Sequence, residues 1–540
     1  MMSPRNHLNR HVQPRRSSRA RPTPDGSRRT TPPTLLVLLC LVLMAMAVGC
    51  RSETMEEEST LTIGVGAGEG GSSPLSALGG HIARFLMFLP LVEINERGEL
   101  EGRLARSWAL TDDSTWTIRI YSDARWHDGV PVTAHDIKFS TELRQHPEVL
   151  AWTPGSRTVT VLDDTTVTVA FRPGFGEEIE AWARTDIFPR HLLEGLDPSR
   201  AYGWEFWHQP IGNGPYRFVR YVPQTMYELE ANPDFHLGRP RIERVILRRE
   251  STTAADLLSG NVDVSPTSNL AFAKQLAEDP RFRLYYRYRN SGRRHEAIAW
   301  NQDRYPPFSD RRVRRALTQA IDRRELLAVL NLPDFVPIYD VAMSNRQFRR
   351  GEFPDPVPYD PEAAKRLLEE AGWRDEDGDG VREKDGEEFR FTMVSGGNRL
   401  NMVTYVQEVL RRVGIAMEIE MTAVSSRTDV DARPIWPIGG RLRPGEMSIG
   451  GWLGPETPIG YRNPTVDSLI VMARETRLTL GELEGIFREM MPILQEDLPI
   501  TFLYRGIGVW VVTSRLRGLS TPWNADPYKF AERLWLEDDP

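Results

Sequence analysis

PIGNGPYRFVRYVPQTMYELEANPDFHLGRPRIERVILRRESTTAADLLSGNVDV, Pro210 to Val264, is the stretch whose reading decides the fold. It opens on Gly212, Gly214 and Pro215. Glycine permits φ above zero or close backbone approach and proline fixes φ, so the stretch starts with a specified bend. The runs YRFVRYV and MYELEA read as strands, Asn232-Pro233-Asp234 as a second turn, RVILRR as a third strand and AADLLSG as a short helix. Nothing in the stretch has the makings of a catalytic centre.

At 540 residues the chain is too long for one ordinary core, and two or three lobes are expected. The formal charge is −7, but Met1 to Gly49 holds eight Arg and one Asp, so the remainder carries −14. An acidic body argues against nucleic acid as a partner.

The first 49 residues read as an export signal. An Arg-rich start leads into TLLVLLCLVLMAMAVG, Thr34 to Gly49, sixteen uncharged residues ending in small ones. That run is short for a membrane span and has the character of a signal h-region. Ala47-Val48-Gly49-Cys50 resembles a lipobox, which implies lipidation at Cys50, although Ala47 stands where Leu is usual. The other cysteine, Cys40, lies in the segment to be removed, so the mature chain can form no internal disulfide. Residues 50–59 then read as a polar tether.

Leu61 to Val65 reads as a first strand, followed by the glycine-rich GAGEGGSSPLSALGG. Gly66, Gly68 and Gly71 match a dinucleotide fingerprint in spacing, but Ser72-Ser73-Pro74 interrupts where its helix should open, so a ligand-facing loop is expected. Trp116, Ile118 and Ile120 alternate as in a half-buried strand; His127-Asp128-Gly129 supplies a turn, and Thr133-x-x-Asp136 opens a helix as a capping box. Arg157 to Phe171 reads as a hairpin about Asp163-Asp164. Arg281 to Arg289, RFRLYYRYR, alternates too; its arginine face suits either an anionic group or solvent. Asp310 caps a helix whose apolar positions are Val313, Leu317, Ile321 and Leu327, and Asp360-Pro361 opens another that stops at Gly372.

Taken in order, the G-x-G-P-Y bend, N-P-D, and L-x-S-G-x-V-D-V, with W-H-D-G-x-P-V-T-A-x-D-I-x-F-S before them and D-x-R-V-R-R-A-L-x-x-A-I-D-R after, resemble the family 5 extracellular solute-binding proteins. These are the oligopeptide, dipeptide and nickel binding components of bacterial ABC importers. The resemblance covers nearly all of the chain after Thr60. It implies an α/β fold of the type II periplasmic binding class, two lobes joined by a hinge with an extra subdomain in the first. The implied boundaries are 60–100, 205–298 and 499–540 for lobe I, 101–204 for the inserted subdomain and 299–498 for lobe II. Crossings are expected at the Gly212, Gly214 and Pro215 bend, at Trp300-Asn301 and near Leu498.

The resemblance further implies a monomeric, exported, lipid-anchored protein of the periplasm or envelope. It would capture a peptide-like solute between its lobes and deliver it to ABC permease and ATPase subunits, with no cofactor, no nucleic acid and no bond made or broken. A saccharide or other solute, or a non-transport receptor role, would use the same fold. The expected ligand contacts are Gly68, Ser72, Trp300, Asn301, Trp452 and Glu456. In peptide-binding relatives an Asp three residues after the tryptophan pairs with the ligand's α-amino group; here that position is Pro455, and Glu456 is the available acid.

Enzymatic readings find no constellation. His295-Glu296 begins an H-E-x-x-H match that fails at Ala299, and there is no nucleophile elbow. Asp375, Asp377, Asp379 and Gly380 take EF-hand positions one, three, five and six, but position twelve is Gly386 where a bidentate Glu is needed, so a hairpin turn is expected and no metal. No pair of mature histidines falls at i, i+4 on a helix.

Overall fold

The computed structural model describes residues 59–65, 80–97, 99–112, 114–146, 149, 157–171, 182, 185–249, 253–267, 269–288, 295–340, 355–422, 430–435, 459–473, 480–519 and 527–537. All of these lie in the unit Glu58–Pro540.

The stretch from Pro210 to Val264 forms the elements its sequence calls for. Strands Tyr216–Val222, Met226–Ala231 and Arg244–Arg249 make an antiparallel meander, followed by the helix Thr253–Leu258. The strand Thr60–Val65 pairs in parallel with Arg244–Arg249, and the sheet grows to seven strands with Val264–Thr267, Ile507–Thr513 and the edge strand Phe282–Tyr288. A second sheet of five strands has the order Ala416–Met421, Arg390–Ser395, Ala432–Ile435, His295–Trp300, Ile500–Arg505. A third, antiparallel sheet of Ala105–Asp112, Thr115–Ile120, Thr166–Phe171 and Arg157–Asp163 falls within the residues expected to form the inserted subdomain. It shares a continuous core with one face of the seven-stranded sheet, through Ile118, Val167 and Trp126 on one side and Leu61, Tyr216 and Leu247 on the other.

The bend at Gly212 to Pro215 is a junction inside this first lobe. A Cβ on Gly212 would lie 2.0 Å from the Met87 carbonyl oxygen, and one on Gly214 would lie 2.5 Å from that of Leu86. Neither φ is positive, so close approach is what requires glycine here. The amides of Asn213 and Gly214 both donate to the Met87 carbonyl, and the Leu89 amide donates to the Asn213 side chain.

Several local readings agree in detail. The Thr133 amide donates to the Asp136 carboxylate at 2.7 Å, and that carboxylate also receives the Arg190 amide, which ties the helix Ala134–Gln145 to the short helix Arg190–Leu193. The single helix expected from Asp310 to Leu327 is two helices, Arg311–Gln319 and Arg323–Val329. Asp322 breaks the run because its side chain accepts from the amides of Arg324 and Glu325, starting a new helix with its own cap.

Candidate ligand-binding seam

Strand direction fixes where the two sheets meet. In the seven-stranded sheet Thr60–Val65, Arg244–Arg249 and Val264–Thr267 run parallel, and Tyr288 is paired with Ile507 at their carboxyl end. In the five-stranded sheet Arg390–Ser395, Ala416–Met421 and Ala432–Ile435 run parallel, and His295 is paired with Arg505 at theirs. The chain passes from Arg505 to Ile507 through Gly506 alone, and from Tyr288 to His295 through residues 289–294. The carboxyl ends of both sets of parallel strands therefore face one seam, the place where open α/β sheets take ligands.

One side of the seam is packed shut. Leu257, Leu276, Ile507, Val509 and Val511 of the first sheet's layer share an apolar cluster with Leu327 and Val336, which follow the second sheet's first strand. Tyr286 meets Phe335 edge-on at 5.6 Å, and the Arg505 amide donates to the Pro337 carbonyl at 2.9 Å. Burial pushes the Tyr286 phenol up, so it is a neutral packing group. Within the second lobe the Arg399 guanidinium holds Glu296 at 3.0 Å and also donates to the Pro434 carbonyl, both side chains being largely buried. His295, itself buried, places Nδ1 2.6 Å from the Tyr339 hydroxyl.

Trp300 and Asn301, expected at the ligand, stand away from this seam. The strand His295–Trp300 starts at the seam and runs away from it. At ~3.3 Å per residue, Trp300 lies roughly 17 Å from the seam end. Trp300 is fully buried against Phe308 and Phe391, and its indole N–H donates to the Thr501 hydroxyl at 2.8 Å. Asn301 closes a turn: its amide group donates to the Val430 carbonyl and its oxygen accepts from the Arg304 amide. Gly212, Gly214 and Pro215 sit at the junction within the first lobe rather than in either segment that changes sheet. The changes of sheet come at residues 289–294 and at Gly506, because His295–Trp300 and Ile500–Arg505 pair with each other in the second sheet. Gly68, Ser72, Trp452, Glu456 and Cys50 fall outside the described residues, as does the segment 66–79 that directly follows the strand Thr60–Val65. Glu296 and Arg399 are a pair that sequence reasoning missed; the available signal was a charged residue opening the crossing strand, set aside with the failed zincin motif.

Two other features lie elsewhere. A shallow hollow of about 570 Å³, lined by Tyr305, Pro307, Trp373 and Glu387 among others, opens beside Arg390, the end of its strand remote from the seam. The carboxylates of Asp375, Asp377 and Asp379 come within 4.8 Å of one another and of Glu383. Their oxygens accept backbone amides of Gly378, Gly380, Asp379 and Val381, and Glu383 accepts that of Glu376, as in a tight acidic hairpin turn. Among the described residues no helix is long and apolar enough to cross a membrane.

The model of the family "Bacterial extracellular solute-binding proteins, family 5 Middle" matches residues 99–438. A Brucella ovis protein provisionally named an ABC transporter peptide-binding protein is 30% identical over 324 residues, 56% of this chain and 58% of its own length. The chain thus aligns with under two thirds of that relative. The oligopeptide-binding protein AppA of Bacillus subtilis is 24% identical over 496 residues, 84% of this chain and 86% of AppA. AppA solved in complex with a nonapeptide superposes with a TM-score of 0.62 at 22% identity, covering 89% of this chain and all of that one. NikZ of Campylobacter jejuni in complex with Ni(L-His) gives 0.65 at 22% identity, with the same coverage. At such identities these two structures show the fold alone, the two-lobed type II architecture.

Proposed function

The chain belongs to the bacterial extracellular solute-binding proteins of family 5, a class that binds and does not catalyse, and on that premise we propose that it is the peptide-capturing component of an ABC importer. The observation that carries this reading is the convergence of the parallel strands' carboxyl ends on a seam where the chain changes sheet between Tyr288 and His295 and again at Gly506. Such a joint lets the lobes rotate about the crossings and enclose a solute, and closure is driven by the solute's greater affinity for the closed form.

The loops that leave those strand ends would contact the solute: Gly68 and Ser72 after Val65, and Trp452 with Glu456 in the segment beyond Ile435. Trp452 offers a flat apolar wall, and Glu456 an acid for the α-amino group. That the Bacillus relative was solved with a nonapeptide favours a peptide over other solutes. Lipidation at Cys50 would anchor the protein outside the membrane, where it hands the solute to permease and ATPase subunits.

Mass spectrometry of solute retained by the purified protein tests the cargo. Peptides are the expected content, and a saccharide or metal chelate as the sole content would overturn the peptide reading. Trp452→Ala and Glu456→Ala should each weaken peptide affinity about tenfold or more; unchanged affinity in both would remove them from the site. Cys50→Ala should release the protein from the membrane fraction.

A further inference from the structure

We propose that the hollow beside Arg390 is a second binding site, and that it takes the ring of a neutral saccharide. It opens at the first residue of the strand Arg390–Ser395, and the last residue of that strand is at the seam, so at ~3.3 Å per residue roughly 17 Å separates the two places. Its volume of about 570 Å³ is within the ~300–1,000 Å³ of small-molecule sites. The walls stand on rigid elements. Tyr305 and Trp373 flank the fully buried Phe389, with ring centres 5.8 and 4.6 Å from it. Next to them Glu383–Lys384 and Glu387–Glu388 form a two-residue hairpin, and φ of 55° at Asp385 and 82° at Gly386 gives the type I′ turn that such hairpins favour. The buried Arg382 guanidinium donates to the Trp373 carbonyl at 2.9 Å and to the Val413 carbonyl at 2.8 Å, and Lys384 donates to the Ala371 carbonyl at 2.8 Å. Hairpin and indole are thereby fastened to each other.

The polar groups in the hollow select the ligand. Arg390 is engaged by Glu388, to which it donates at 2.6 and 2.9 Å. Glu387 is exposed, and its carboxylate forms no hydrogen bond or ion pair among the described residues. Trp373 is only 5% exposed, and its indole N–H likewise has no acceptor among the described residues. Burial pushes the Tyr305 phenol up, so it stays protonated and able to donate. One unbalanced carboxylate therefore stands with two neutral donors beside flat aromatic walls. An anion would be repelled by Glu387. A compact cation would satisfy Glu387 and leave both donors without acceptors. A saccharide answers all three groups, because its hydroxyls donate to the carboxylate and accept from the indole and the phenol. The C–H face of its ring would cover the aromatic walls.

The full-length protein, with its indole nitrogens isotopically labelled, would be titrated with cellobiose, chitobiose and maltose, and with butylammonium and acetate as charged probes. Trp373→Phe identifies the magnetic resonance signal of the Trp373 indole N–H. At least one disaccharide should shift that signal, and neither charged probe should. Glu387→Gln, an exchange at an exposed position that keeps the side chain's shape, should weaken that disaccharide about tenfold. A shift caused by butylammonium and by no disaccharide overturns the saccharide assignment in favour of an organic cation. Disaccharide shifts confined to other indoles put the sugar elsewhere and overturn the site, as does the absence of any shift. Equal disaccharide affinity in wild type and Glu387→Gln overturns the selection argued from the carboxylate. Should Trp373→Phe fail to fold, calorimetric titration of wild type and Glu387→Gln with the three disaccharides decides, and equal affinities or no binding overturn the proposal.

Discussion

The imidazole of His127 donates from Nε2 to the carbonyl of Gly214 at 3.0 Å, and the tautomer is set by its other nitrogen. Nδ1 accepts the Gly212 amide at 3.1 Å, so it carries no proton in the folded protein. One ring thus joins the W-H-D-G turn of the inserted subdomain to the bend that opens the first lobe's meander, and it does so only when neutral. A protonated ring would turn a donor toward the Gly212 N–H.

Burial is the largest cause that depresses His127, from 6.5 to about 4. The unfolded chain therefore binds the extra proton first as the pH falls. The contribution of His127 is fully present above pH 6.5 and lost progressively as pH drops from 6.5 through about 4. The ring is half-buried, so this amounts to at most about 3 kcal/mol. Urea titrations at pH 7 and pH 4.5 should show less pH sensitivity in His127→Ala than in wild type; identical pH dependence would refute the coupling.

Gly212→Ala should destabilise the first lobe by roughly 1–3 kcal/mol or more. Its new methyl would fall 2.0 Å from the Met87 oxygen, which is backbone already accepting two amides and unable to give way cheaply. Gly129→Ala is the informative control, since φ there is +88° but nothing lies within 4 Å of a Cβ. Its cost should come from strain alone, about 1 kcal/mol. Denaturant midpoints of the two variants check the ordering.

Trp300→Ala should cost about 3–5 kcal/mol of stability, because it removes the indole's contacts with Phe308 and Phe391 and its hydrogen bond to the Thr501 hydroxyl. In the fraction that remains folded, solute affinity should be unchanged. Calorimetric titration of the variant at low temperature reads both quantities. A large loss of affinity with intact stability would return Trp300 to the binding site.

The buried pair of Arg103 and Glu532 is bidentate, at 2.7 and 3.0 Å, and fastens the C-terminal segment Pro527–Arg533 to the strand pair near Gly102. Removing one partner leaves the other buried and uncompensated, so Glu532→Ala should cost about 3–5 kcal/mol. Replacing both with apolar residues, Arg103→Met with Glu532→Leu, should recover most of that loss. A double-mutant cycle by chemical denaturation measures it, and an additive double variant would contradict the pairing.

Much of the fold was legible because its signals are local. Alternation gave Thr115–Ile120 its faces, Asp360 caps its helix by accepting the Ala363 amide, and Gly372 ends it at φ +95°. Each of these is decided by residues a few positions apart. The break at Asp322 was legible in principle and was passed over, since an apolar period of 3.6 continues across it while the cap does not.

The sequence by itself determined the family, the order of elements and the loops that leave the first strands. Only the tertiary structure decided which end of a strand faces the solute. A period of two reads the same in either direction, so AIAW alone placed Trp300 as readily at the seam as away from it. Direction is set by pairing with Ala432–Ile435 and Ile500–Arg505, more than 130 residues on, and that pairing brings His295, Glu296 and Arg399 to the seam and sends Trp300 into the core. The same kind of long-range pairing, Phe282–Tyr288 with Ile507–Thr513, sets Arg287 over the Trp510 indole.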